Sequence, residues 1–359
     1  MNMLVIIAIS AACLFAFNIG ASGSAASMGV AYGAKVVKSR RIALLLAGLG
    51  AIIGALWGGH HVTNTLGKGI ISEELIDVPI AAIILLVAGG TLLITNYIGI
   101  PLSTSEVTVG AIVGVGISFQ QLYVTNILHI ISLWLIIPFA AFMITFSFEK
   151  IRTKWLHKFK LKRSHKWLAV LLLLTGFFEA IAAGMNNVAN ALGPLVGADI
   201  MSMEVGLPLF AVIVALGSFL FGGKVLETNA KKITSLSLAN GVVISSTTGF
   251  LVIIASFFGI PIPMTQVTTT AIVGISATKS WQSVWKQKII HQIVKVWVTS
   301  PVISLVIAFS LTEMIVKQSF YTVVILILTI MITFVLLKYE VKVDKKIQKQ
   351  TRREWQANE

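Results

Sequence analysis

The residues able to do chemistry in this chain sit in two short motifs, each present twice. Gly20 to Gly29 reads GASGSAASMG and Gly184 to Gly193 reads GMNNVANALG, 164 residues apart. Gly99 to Gly114 reads GIPLSTSEVTVGAIVG and Gly259 to Gly274 reads GIPIPMTQVTTTAIVG, 160 apart, with nine of sixteen positions identical. Between them, Val62, Thr65 and Lys68 match Val225, Thr228 and Lys231 at an offset of 163. Three matches in one order at nearly constant spacing indicate an internal duplication. In the first pair, Ser22, Ser24 and Ser27 are expected to face Asn186, Asn187 and Asn190 across the inverted repeats. In the second pair, Gly99-Ile100-Pro101 and Gly259-Ile260-Pro261 break a helix, because proline removes a donor and restricts its neighbour. Ser103, Thr104 and Ser105 then open the next segment, with Thr265, Gln266 and Thr268 in the symmetric half. Hydroxyls, amides and free N–H groups at the positive end of a half-helix make an anion site.

Two acids lie in the same apolar stretches. Glu106 follows the Ser-Thr-Ser run and Glu179 precedes the second small-polar motif. A carboxylate at membrane depth is costly when charged and is a functional candidate by default, as a carrier of a proton. The alternative for each is a hydrogen-bonded structural acid. Glu227 aligns with Asn64 near a segment end. His60 and His61, beside Trp57, lack the further ligands a metal site needs and read as interface residues. No metal and no cofactor is expected. Cys13, the single cysteine, reads as a small buried apolar residue. Gly50, Gly54 and Gly58, spaced by four, read as helix packing.

These motifs must be held by membrane helices. Of 359 residues, 56% are hydrophobic and only 12% charged, with a mean hydropathy of +0.91. A soluble chain carries roughly twice that charge, so a soluble enzyme or a soluble nucleic-acid-binding protein is excluded. Apolar segments run over about 2–33, 42–58, 79–98, 107–119 and 127–148, then 168–198, 206–222, 240–258, 265–278, 289–310 and 319–338. The expected fold is an all-α polytopic membrane protein with about 10–12 membrane segments. The N-terminus lacks a basic region before its apolar run and reads as a retained helix.

The net charge of +14 is topological rather than a sign of a nucleic-acid partner. Twenty-five of the 28 basic residues fall in five groups: 35–41, 150–166, 223–239, 279–288 and the tail from 338. Alternating crossings that start outside put all five on the cytoplasmic side, with the C-terminus. That side then faces anionic lipid, with the central linker as a solvated loop. Each repeat has an odd number of crossings, counted as five, so the second copy enters inverted. The expected organisation is a first repeat over 1–149, a basic linker over 150–167, a second repeat over 168–310, an additional helix over 311–338 and a basic tail over 339–359. Inverted repeats with broken helices or re-entrant hairpins place a transport site at the midplane, where the copies meet.

At these motifs the chain resembles the inorganic phosphate transporter (PiT) family, which carries GANDVANA-type and P-x-S-T-T-H-type motifs in both halves. The resemblance runs from Gly20 to about Gly274 and implies an ion-coupled oxyanion symporter of the plasma membrane. By position it implies a site that includes Ser22, Gly23, Ala26, Asn186, Asn187, Asn190, Ser103, Thr104, Ser105 and Thr265. The departures matter. The family's Asn-Asp pair is Ser22-Gly23 in one copy and Asn186-Asn187 in the other, and its histidine is Glu106 in one copy and Gln266 in the other. Loss of both aspartates removes the hard, charged oxygens that sodium prefers. Hydrogen phosphate offers an O–H that a carboxylate can accept, whereas sulfate has none and would be repelled. The resemblance is therefore to the sulfate-permease branch, with Glu106 offering a proton in place of sodium. A sodium- or proton-coupled phosphate symporter is the alternative. A membrane enzyme built on His60, His61 and Glu179 lacks a nucleophile–base spacing. Oligomeric state is not fixed by the sequence, and a homodimer is among the options.

Overall fold

The computed structural model describes residues 3–98, 102–159, 165–233, 237–278 and 288–319, together with six positions between 321 and 332. The described residues form helices joined by short turns. In chain order these are α1 (Met3–Ile19), α2 (Ala25–Ser27), α3 (Gly29–Gly33), α4 (Arg40–Lys68), α5 (Val78–Ile98), α6 (Thr104–Phe119), α7 (Val124–Phe159), α8 (His165–Gly197), α9 (Met203–Phe221), α10 (Gly223–Ile233), α11 (Leu238–Phe257), α12 (Met264–Ala277) and α13 (Lys288–Ile315). Among the described residues seven helices are long and apolar enough to cross a membrane.

The two repeats share five elements in one order. The α1–α3 segment answers to α8, α4 to α9–α10, α5 to α11, α6 to α12 and α7 to α13. Their packing is reciprocal. Gly20 abuts the carbonyl of Val214, and Gly184 abuts that of Ala51. Gly54 abuts the carbonyl of Ile181, and Gly217 that of Phe17. Gly33 meets Ala230 as Gly197 meets Gly67, and Gly114 meets Leu305 as Gly274 meets Phe142. Each contact maps onto its partner through the sequence offsets of 160 to 164. Such mirrored pairs are what a two-fold relation between the copies produces, and an odd number of crossings per copy makes that relation an inversion.

Two sequence expectations are corrected. First, 107–119 and 265–278 do not cross. At 16 and 14 residues, α6 and α12 reach only about 24 and 21 Å, against a hydrocarbon core of about 30 Å. They are half-helices packed beside α5 and α11. If each pair enters and leaves by one face, the crossings left per repeat are still odd. Second, the basic linker is not a loop throughout. Helix α7 continues to Phe159 and α8 starts at His165, while 160–164 lie outside the described residues. In that extension Arg152 grips Glu149 at 2.6 and 2.7 Å. Helix α13 runs to Ile315, across the expected boundary at 310. The tail over 339–359, the segment over 279–287 and Gly99-Ile100-Pro101 lie outside the described residues.

The main inter-repeat seam is α4 on α8. Ala47, Ala51 and Ala55 of α4 are fully buried; Gly50 and Gly54 let the two backbones approach closely, and Gly58 makes room for the Met185 side chain. A methyl at Gly54 would overlap the Ile181 carbonyl and lie 2.9 Å from the amide of Met185. Gly90, by contrast, has nothing within 4 Å of the same position. Gly54→Leu is therefore expected to eliminate monodisperse protein on size exclusion. Gly90→Ala should match the parent, or gain up to about 1 kcal/mol from helix propensity. Thermal unfolding in one detergent checks both.

Candidate functional site

The site forms where the start of α6, the middle of α8, the first broken helix and the turn before α12 converge. Helix α6 begins at a serine cap, with Ser103 Oγ accepting from the Glu106 N–H at 3.5 Å. That leaves the first N–H groups of α6 without partners inside the helix. Opposite them, α8 presents Asn186 and Asn187, with Asn190 one turn on from both. All six side chains of the two groups are at least nine-tenths buried.

Their bonds cross between repeats. Thr104 Oγ1 donates to Asn187 Oδ1 at 3.1 Å, and Asn186 Nδ2 donates to the same oxygen at 3.1 Å and to Ser105 Oγ at 3.2 Å. Asn190 is held loosely: its Nδ2 lies 3.5 Å from Thr104 Oγ1 and from Ser105 Oγ, and 3.2 Å from the Asn187 carbonyl. Its Oδ1 is buried and has no partner among the described residues, and the same holds for Ser24 Oγ. The first repeat contributes a break in the helix. Gly20–Ser24 is wound as a π turn, a form that clusters at functional sites. Within it Gly23 faces Asn187, and a methyl there would lie 3.1 Å from Asn187 Nδ2. Ser22 turns away, donating to the Asn18 carbonyl at 2.9 Å, and Ser27 donates to the Ser24 carbonyl at 2.7 Å.

Four carboxylates are buried among the described residues, and their partners separate them into two kinds. Glu149 is paired with Arg152, and Glu313 with Lys317 at 2.9 Å and Ser118 at 2.7 Å. Glu106 and Glu179 have only neutral partners among the described residues. Gln266 Nε2 donates to Glu106 Oε1, and Ser300 stands beside the same carboxyl. Thr268 Oγ1 donates to Glu179 Oε1 at 3.2 Å, with Ser245 beside it. The second oxygen of each is buried and has no hydrogen-bond partner among the described residues. An uncompensated buried charge is strongly unfavourable, so these two acids are the ones suited to exchanging a proton. Glu106 and Gln266 occupy equivalent positions in the two repeats, so their bond ties the two half-helices together. The Ser103-x-x-Glu106 spacing could have closed a capping box. Only its serine half forms, and the carboxylate is turned toward Gln266 instead.

Other candidates fall elsewhere. Thr265 is exposed and makes no bond to the cluster, because α12 turns that face outward. Glu227 forms a half-exposed ion pair with Arg40 at 3.2 Å. His60 and His61 stack on one another at 3.9 Å, and no third His, Cys, Asp or Glu joins them among the described residues. Sequence reasoning missed the turn before α12, where Asn186 binds the backbone of Ile262 and Trp134 binds Pro261. The available signal was the run Pro261-Ile262-Pro263, which leaves one N–H between two residues that have none.

Comparison with known proteins agrees with this architecture. The model of the phosphate transporter family matches residues 19–172 and 152–308. The chain is 45% identical to the sulfate permease CysP of Bacillus subtilis, over 87% of this chain and 88% of that protein. It is 27% identical to a putative phosphate permease of Thermococcus kodakarensis, over 82% and 93%. It is also 26% identical to a probable low-affinity inorganic phosphate transporter of Bacillus subtilis, over 77% and 86%. A solved structure titled the sodium-dependent phosphate transporter superposes with a TM-score of 0.73, at 23% identity, over 88% of this chain and all of that one. That likeness supports the fold.

Proposed function

The chain belongs to the phosphate transporter family, and from that premise we propose that it imports inorganic sulfate across the plasma membrane by proton symport. It is a multi-pass transporter and not an enzyme. The observation that carries the substrate reading is the cradle of neutral donors: Thr104, Ser105, Asn187 and Asn190 around the start of α6, with Gly23 where a family aspartate would stand. A dianion with no proton to give is best held by hydroxyls, amides and helix N–H groups. The name of the relative at 45% identity points the same way.

Glu106 is the proposed proton carrier, one residue beyond the cradle, with Glu179 as a second acid on α8. Protonation of Glu106 removes a negative charge beside the anion, so proton and sulfate favour each other's entry. The repeats, read as 1–149 and 168–310 plus the end of α13, would then expose the site alternately. In this reading the N-terminus is outside and the basic groups face cytoplasmic lipid.

The deciding experiment is uptake of labelled sulfate and labelled phosphate into proteoliposomes, under separate proton and sodium gradients. Sulfate accumulation driven by an inward proton gradient, with no response to sodium, is the expected result. Phosphate uptake that requires sodium, without sulfate uptake, would defeat the proposal in favour of a phosphate symporter.

A further inference from the structure

We infer that Asn186 is a positioning residue that fixes the turn before α12 as a stationary wall of the anion site, and that it does not itself hold the anion. Both ends of its amide bond the backbone of one residue, Ile262. Asn186 Oδ1 accepts from the Ile262 N–H at 2.9 Å and Asn186 Nδ2 donates to the Ile262 carbonyl at 2.8 Å. These are its shortest contacts, and they copy the pairing of two strands on a residue that has no strand beside it. Pro261 and Pro263 lack an N–H, so Ile262 carries the single backbone donor of the run Pro261-Ile262-Pro263. The remaining acceptors are also held. Trp134 Nε1 donates to the Pro261 carbonyl at 2.7 Å, and Ser105 Oγ reaches the Ile262 carbonyl at 3.2 Å. At the upstream end Gly259 adopts φ +71°, where a methyl would lie 2.7 Å from Thr65 Oγ1 and 3.0 Å from the His61 carbonyl.

The first repeat does not copy this arrangement. The residues equivalent to Asn186 and Ile262 are Ser22 and Leu102. Ser22 Oγ donates to the Asn18 carbonyl within its own helix, and a hydroxyl has a single hydrogen with which to donate. An amide offers a donor and an acceptor on one rigid plane, which is what pairing with both the N–H and the C=O of one residue requires. The clamp is therefore one-sided, although the glycine contacts of the two repeats are reciprocal. Among the three asparagines the division of work follows bond length: Asn186 is tied at 2.8–2.9 Å, and Asn190 at 3.2–3.5 Å is the one free to turn toward a guest.

The uptake arm of the test rests on the sulfate-transport reading; the exchange arm does not. Hydrogen–deuterium exchange is followed by mass spectrometry on the full chain in nanodiscs, for a peptide spanning 259–264. Ile262 supplies its only exchangeable amide between the prolines. In the parent, Ile262 should exchange slowly and remain so in saturating sulfate. In Asn186→Ser its exchange should rise at least 100-fold, while uptake loses maximal rate with KM within about threefold. Faster Ile262 exchange in the parent on adding sulfate would overturn the inference, because it would mean that the amide leaves the turn for the anion. So would an Asn186→Ser protein whose KM rises tenfold or more with Ile262 still protected. The sulfate arm uses the parent alone and decides the question even if the variant does not fold. Absent sulfate uptake with intact Ile262 protection would sink the proposed substrate and leave the clamp standing.

Discussion

Glu106→Gln protein is expected to lose sulfate accumulation against a gradient while still exchanging sulfate downhill. The substitution keeps the size of the side chain and the partner of Gln266, and it places a permanently neutral group where the buried carboxyl stood. What it removes is the proton site. In the parent, accumulation should rise as the outside is made more acid than the inside. Each pH unit supplies about 1.4 kcal/mol per coupled proton, a factor of ten in accumulation. In Glu106→Gln that dependence should be flat, so the deficit against the parent grows by about tenfold per coupled proton for each pH unit imposed. Glu179→Gln separates the two acids. Glu179 bonds to Thr268 and stands beside Ser245, apart from the cradle, so its loss should slow transport more than it alters sulfate affinity. Proteoliposome uptake at a series of imposed pH gradients reads both effects. Full pH-driven accumulation by Glu106→Gln would remove Glu106 as the proton carrier.

Asn187→Asp should convert a neutral cradle into one that rejects sulfate. Asn187 Oδ1 accepts from Thr104 and Asn186 at 3.1 Å, and an aspartate keeps both bonds through one oxygen. Its other oxygen replaces an amide donor facing Gly23. A unit charge about 4 Å from another is worth about 4 kcal/mol at an effective dielectric near 20. Even if half of that is relieved by solvent or by protonation, sulfate KM should rise roughly 30-fold, and more than 100-fold with less relief. Monohydrogen phosphate can donate its O–H to the new carboxylate, so its uptake should fall less, and the ratio of phosphate to sulfate transport should rise. Asn187→Ser, which loses the donor and adds no charge, should cost about tenfold in sulfate KM. Equal sulfate KM for the aspartate and serine variants would mean that no anion sits beside this residue.

Much of this could be read from the residues in order. The excess of apolar over charged residues required a membrane protein. The recurrence of two motifs at offsets of 164 and 160 required a duplication. The cradle residues Thr104, Ser105, Asn187 and Asn190 were legible because hydroxyls and amides between apolar runs have no use on a lipid-facing surface. Glu106 was legible because a carboxylate there is too unfavourable to be incidental. These properties are local, or periodic along the chain, and a linear string carries them.

What only the tertiary structure decided is which partner each polar group meets. Asn186 and Asn187 are adjacent and chemically identical, yet one grips Ile262 and the other faces Gly23. Successive residues on a helix point about 100° apart, and nothing in the sequence says which element lies on each side. Glu106 and Glu149 are both buried acids, but only the second has an arginine one turn away. Thr265 and Ser105 are equivalent by sequence, yet Thr265 lies on the exposed face of α12. A duplicated sequence imposes two-fold packing on its glycines, because their contacts are steric and identical in both copies. Its polar side chains are free to differ, since a hydrogen bond depends on one atom across a gap between helices, and that distance is fixed only when the helices are packed.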